Sequence, residues 1–178
     1  MVAPAASPTK TSLIQDAKTF QVVSFQLGKE EYGVDIMVVQ EIILLGNITH
    51  VPEVPEYILG VINLRGNVIP ILNLRKRFGL EEVDSTDETR IVVINYEGRT
   101  VGIVVDSVSE VLRLTNEQIS PAPASLSGGE RDYITSLARL GEKLLILLDV
   151  DRVLGATDSS AVDNTNTNSN QEPAACET

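Results

Sequence analysis

From about residue 19 to residue 155 the chain is a succession of short apolar runs rich in Val, Ile and Leu, closed by Gly, Pro or polar clusters. Stiff β-branched side chains suit a pleated surface, so the pattern predicts strands and few helices. Residues 20–27 close at Gly28 and residues 31–36 return, which predicts a hairpin. Asp35 is placed to cap a short helix through Val38, Val39 and Ile42. Pro52 and Pro55 mark a loop. Residues 59–65 and 67–72 form a second apolar pair about Gly66-Asn67, with Pro70 calling for an exposed edge or a bulge. Residues 75–78 read as one helical turn ended by Gly79, and residues 81–88 as an acidic connector. Two more hairpins follow, about Glu97-Gly98 and Gly141-Glu142, before a last helical turn from Asp149 to Leu154.

The pattern repeats. Residues 33–43 can be laid over residues 102–112, with Glu41 following Gly33 by the same eight positions as Glu110 follows Gly102. The turns at Gly28 and Gly98 correspond upstream, and those at Gly66 and Gly141 downstream. Two β-modules of this size are each too small for a generous core, so they are expected to pack together with a groove at their junction. The boundary is placed in the acidic connector, giving modules of about 19–83 and 84–155. Residues 1–18 read as a flexible lead and residues 156–178 as a disordered acidic, polar tail, too poor in apolar groups to offset the entropy of ordering.

Composition narrows the function. Only 4% of the 178 residues are aromatic and none is Trp, so an aliphatic core is expected. A formal charge of −11, with Arg75-Lys76-Arg77 as the one basic run, argues against nucleic acid. His50 is the sole histidine and Cys176, in the tail, the sole cysteine, so neither a catalytic triad nor a Cys/His metal site is expected. The glycines match no phosphate loop, and no apolar run is long enough for a membrane-spanning helix. A binding protein with no cofactor is expected. A small barrel that binds a ligand or nucleic acid, and an acid-based hydrolase, are the competing readings.

The ordered motifs carry a family likeness. Residues 31–36 with Val39-Gln40-Glu41-Ile42, then residues 60–66 leading into residues 69–75, resemble the first-half signatures of the CheW family of chemotaxis coupling proteins. Residues 101–106 with 108–112, residues 119–123 and residues 144–148 are similar to its second half; Asn73 stands where the family usually has Asp. The resemblance implies a mainly β fold of two SH3-like, five-stranded barrels about a pseudo-twofold axis, with short helical turns. It implies a non-catalytic, cytoplasmic adaptor coupling chemoreceptor cytoplasmic tips to the regulatory domain of the histidine kinase CheA, recruited to receptor arrays at the inner face of the membrane. A CheW-like scaffold of a parallel, non-flagellar pathway and a regulatory fragment of such a kinase are the near alternatives.

Arg65 is the first candidate for binding, because its planar fork of donors has no neutral substitute. It is also placed to pair within the chain, with Glu41 or Asp106. Val39, Glu41 and Ile42 form a second candidate patch, with a core-facing role for Val39 and Ile42 as the alternative. Gly60 offers close backbone approach to a partner, or merely a bend. Ile91 and Gly102 are expected as second-half counterparts lining the other side of the groove. Arg75-Lys76-Arg77 is expected to be a solvated helical face.

Overall fold

The structure is a computed structural model, described here for residues 18–126 and 132–155; the tail and all but the last residue of the lead lie outside the described residues. The elements in order are β1 (Thr19–Leu27), β2 (Glu30–Asp35), a 3-10 turn (Ile36–Val38), β3 (Val39–Leu44), β4 (Ile58–Leu64), β5 (Asn67–Asn73), α1 (Leu74–Arg77), β6 (Arg90–Tyr96) and β7 (Arg99–Val105). They continue with β8 (Ser107–Thr115), a 3-10 turn (Asn116–Gln118), β9 (Ile119–Pro121), β10 (Ile134–Leu140), β11 (Lys143–Leu148) and α2 (Val150–Gly155). Asp35 does cap, its Oδ1 accepting from the Met37 N–H at 2.9 Å. The helix stops at Val38, however, and Val39 and Ile42 belong to a strand, as their β-branching favours.

The strands form two sheets, ordered β3-β6-β7-β5-β4 and β8-β1-β2-β11-β10-β9. These are the two SH3-like barrels, and the three-residue β9 is the extra strand of the second. They do not divide the chain at residue 84. The β1–β2 hairpin pairs with β8 and β11 from the second half, while the β6–β7 hairpin pairs with β3 and β5 from the first. Each module lends its leading hairpin to the other barrel. The chain crosses over at Ile36–Val38, between β2 and β3, and again at Asp106, between β7 and β8.

The duplication is visible strand by strand: β2 meets β11 in parallel just as β7 meets β5, and Gly33 opposes Leu147 as Gly102 opposes Ile71. Each barrel has its own apolar interior, one around Ile69, Ile71, Ile91 and Val93, the other around Val22, Leu114, Ala138 and Leu145. The largest cluster lies between the barrels. It takes Val23, Phe25, Leu27 and Val34 from one exchanged hairpin and Val92, Ile94, Val101, Ile103 and Val105 from the other. Both faces of these hairpins are covered, which explains runs such as Ile91-Val92-Val93-Ile94 that do not alternate.

The seam is therefore packed where a groove was expected. It also holds aromatics: Phe25, Tyr32, Phe78 and Tyr133 form a ladder with successive centroid separations of 6.2, 5.5 and 4.0 Å. The expectation of a purely aliphatic core fails there. Flat rings fill the space between curved sheets that aliphatic side chains would leave, and stacked pairs add about 1 kcal/mol each. At Pro70, β7 pairs with β5 only from Ile71 to Asn73, so the proline sits where β5 has a partner on one flank only.

Candidate functional site

The turn joining β4 to β5 consists of Arg65 and Gly66, one residue earlier than the sequence pattern suggests. Both have positive φ, 52° and 85°, as a two-residue hairpin of the right twist requires. Left-handed backbone costs a non-glycine residue about 1 kcal/mol or more, so Arg65 is held there. Asn63 helps by accepting the Gly66 N–H on its Oδ1 at 2.9 Å. From this turn Arg65 reaches β3, where its Nη1 and Nη2 donate to Glu41 Oε1 and Oε2 at 2.9 and 2.8 Å. The Arg65 side chain remains 73% exposed while that of Glu41 is 20% exposed. A two-bond fork of this kind fixes the guanidinium plane and leaves its outer edge open to a partner.

Around the pair, β3 alternates. Ile42 and Leu44 point outward, Leu44 being 69% exposed, while Val39 packs on the central cluster and Ile43 on the barrel interior. Met37, in the preceding turn, is 85% exposed. The patch thus combines a fixed cation with exposed aliphatic side chains along a strand at the end of its sheet order.

The remaining candidates play other parts. Gly60 is buried, with φ 148°, and a Cβ there would stand 2.1 Å from the Thr49 carbonyl oxygen. Its close approach is to the chain's own backbone, at the bulge between Ile58 and Gly60. Ile91 is fully buried in the first barrel, and Gly102 is buried against it; a Cβ at Gly102 would lie 2.4 Å from Ile71 Cδ1 and 2.8 Å from Ile91 Cγ2. Neither lines the opposite side of a groove. All seven candidates belong to the sheet β3-β6-β7-β5-β4 and its turns. Because the hairpins exchange, the true counterparts of Ile91 and Gly102 in the second barrel are Val22 and Gly33.

Asp106 is taken by Arg75, not Arg65. Arg75 Nε donates to Asp106 Oδ1 at 2.8 Å and its Nη2 to Oδ2, while Nη1 reaches the Glu81 carbonyl. Asp106 also accepts the Gly28 N–H on Oδ2 at 2.8 Å. This clamp ties the tip of the exchanged β1–β2 hairpin, the crossover after β7 and the start of the connector into one cluster. The bond from Arg75 is the main cause holding the Asp106 carboxyl below its ordinary value, against partial burial, and the Gly28 N–H adds to it. The rest of the basic run is anchored too: Lys76 pairs with Glu82 at 3.1 Å, and the Arg77 guanidinium lies over the Tyr57 ring at 5.3 Å. These residues are half-buried, so the run is not a solvated face. The tyrosine and carboxylate partners are too distant in sequence, or too ambiguous, for spacing to have identified them.

His50 is exposed, and no group of three or more His, Cys, Asp or Glu side chains suited to a metal occurs among the described residues. No helix among them is long and apolar enough to cross a membrane. Fold and site together define a double-barrel β-module carrying a braced cation and exposed aliphatic groups on one barrel.

Residues 21–158 match the CheW-like domain, and the chain belongs to that family. It is 46% identical over 140 residues to chemotaxis protein CheW of Klebsiella aerogenes, covering 79% of this chain and 84% of that one. It is 37% identical over 149 residues to chemotaxis protein CheW of Treponema pallidum, covering 82% and 88%. The crystal structure of the scaffolding protein TtCheW from Thermoanaerobacter tengcongensis superposes with a TM-score of 0.69 at 35% identity, over 73% of this chain and 88% of that one.

Proposed function

We propose that this chain is a non-catalytic cytoplasmic adaptor that couples the cytoplasmic tips of chemoreceptors to the regulatory domain of a CheA-type histidine kinase. The observation that carries the reading is the Arg65–Glu41 fork beside outward-facing Ile42 and Leu44, in a chain of this family. Contact area from the aliphatic groups and register from the fixed charge are what a protein-binding surface needs.

The fork also breaks the internal symmetry. Gly141 occupies the hairpin position of Arg65 in the second barrel, between Leu140 and Lys143 as Arg65-Gly66 lies between Leu64 and Asn67. The repeat of Glu41, Glu110, therefore has no arginine opposite it in the turn. Two barrels of one topology with different surfaces can hold two different partners at once. Contacts of micromolar strength, worth about 8 kcal/mol each, gain further through effective concentration when several are held in one assembly.

The test is co-sedimentation of the full chain with a receptor cytoplasmic fragment and a CheA-type regulatory domain. Wild-type chain is expected in the complex, and Arg65→Ala to weaken receptor binding by about tenfold or more, as truncation of a central Arg anchor does. A wild-type chain that binds neither partner overturns the reading. Val39, Gly60, Ile91 and Gly102 support this surface from beneath, through packing, while Glu41, Ile42 and Arg65 meet the partner.

A further inference from the structure

Each barrel has a cavity at the same end, and the two are equivalent under the internal repeat. That of the first barrel, about 410 Å³, is lined by Leu59, Asn73 and Thr89. That of the second, about 430 Å³, is lined at the matching places by Thr135, Asp149 and Phe20. The first is walled on its outer side by Glu82, Val83, Asp84 and Ser85 of the connector, which enters β6 at Thr89. Lys76 holds Glu82, and Arg75 holds the Glu81 carbonyl. The second cavity is the more apolar, with Phe20, Val22, Val38, Ile119, Leu147 and Val150 around it.

In the sequence repeat, the chain that precedes β1 corresponds to the connector that precedes β6. Gly33 and Gly102 are 69 residues apart (102 − 33), and the same shift carries Glu82-Val83 onto Leu13-Ile14. Those two are the only Leu or Ile among residues 1–17, and they lie six and seven positions before Phe20 on the cavity rim. That length of extended chain spans about 20 Å, ample to cross a barrel mouth.

We propose that residues 11–18 of this chain dock across the mouth of the second barrel, with Leu13 and Ile14 inserted into its apolar cavity. Charge favours this segment over the C-terminal one. Asp35 and Asp149 stand on the cavity wall, and the N-terminal stretch brings Lys10 and Lys18 with Asp16 as its only acid. Residues 156–178 carry four acids, no base and no Leu, Ile, Met or Phe, so they would meet the same carboxylates with repulsion and little to bury. The docked segment completes the second barrel as the connector completes the first.

The experiment is amide hydrogen exchange with methyl nuclear Overhauser spectroscopy on the full chain, compared with the double variant Leu13→Ser, Ile14→Ser. Both substitutions precede the first strand, so the barrels stay folded. In the wild type, Ile14 methyl cross-peaks to Leu147 and Val150 are expected, with amides 12–16 protected by about tenfold or more relative to the variant. Deleting residues 156–178 is expected to leave that protection in place, and dilution to leave it unchanged. Amides 12–16 exchanging equally fast in wild type and variant would overturn the proposal. So would protection that vanishes on dilution, which would assign the cavity to a second copy, or protection lost with residues 156–178.

Discussion

At the scale of single residues, the three buried glycines of the first barrel and its repeat differ in what surrounds them, and their substitutions should rank accordingly. Gly60→Ala drives a Cβ to within 2.1 Å of a backbone oxygen at a φ that side chains avoid, and backbone cannot swing aside. A loss of about 3 kcal/mol is expected. Gly102→Ala meets the far end of Ile71 and a methyl of Ile91, which can move by leaving good rotamers, so about 2 kcal/mol is expected. Gly33→Ala meets Leu145 and Leu147 methyls at 3.2 Å and should cost less than about 1 kcal/mol. Urea midpoints of the three variants check the order. Arg65→Ala, by contrast, should shift stability by no more than about 1 kcal/mol, because the guanidinium it removes is mostly in water. Weakened partner binding with an unchanged urea midpoint separates a contact residue from a packing one.

Asp106 gives a prediction in pH. Its folded carboxyl is held below the ordinary 3.8, so its contribution is fully present above that value. The contribution is lost as pH falls through the lower, folded value and the carboxylate takes up a proton. Asp106→Asn should therefore cost about 2 kcal/mol near neutrality, the scale of a charge-assisted hydrogen bond left with its partner partly buried. The gap in urea midpoint between variant and wild type should close below about pH 4. A gap that stays constant into acid would show that the carboxylate charge plays no part in the clamp.

Elements show where local signals suffice. The hairpin turns were legible because two-residue loops demand positive φ, supplied by Gly28, Gly66, Gly98 and Gly141. Asp35 read correctly as a cap, but the length of what it capped did not: Val38 and Val39 favour extended backbone, and β3 gains a whole ladder with β6 by starting at Val39. The aromatic ladder was illegible, since Phe25, Tyr32, Phe78 and Tyr133 share no spacing and meet only when an exchanged hairpin, the end of α1 and the approach to β10 converge. Phe78→Ala removes the ring that links the two ends of that ladder. It should lower stability by about 3 kcal/mol, read as the loss in urea midpoint.

For the whole molecule, exchange of hairpins makes the two sequence repeats mutually dependent. Each sheet contains two strands from the other half, so residues 1–83 and 84–178 as separate chains should each lack a stable barrel. Mixed at equal concentration, they should regain β circular dichroism and cooperative unfolding; a half that folds alone as a monomer would contradict the topology. The same exchange explains why the candidate residues gathered on one barrel rather than facing each other across a seam. A contiguous division was the simplest inference from the duplication, and strand pairing does not respect it.

The amino-acid sequence by itself determined the four hairpins, the internal repeat and the family, because each is written in local propensity, alternation or ordered motifs. By contrast, β3 was expected as helix, and β8 and β9 carried no strand reading of their own. Only the tertiary structure decided which hairpin completes which barrel, that Glu41 rather than Asp106 receives Arg65, and that the seam is filled. The physical reason is that a hairpin apolar on both faces can be buried against either module, and a carboxylate attracts whichever guanidinium reaches it. Those choices are settled by short crossovers, Ile36–Val38 and Asp106, and by the packing they impose, at separations no periodicity can encode.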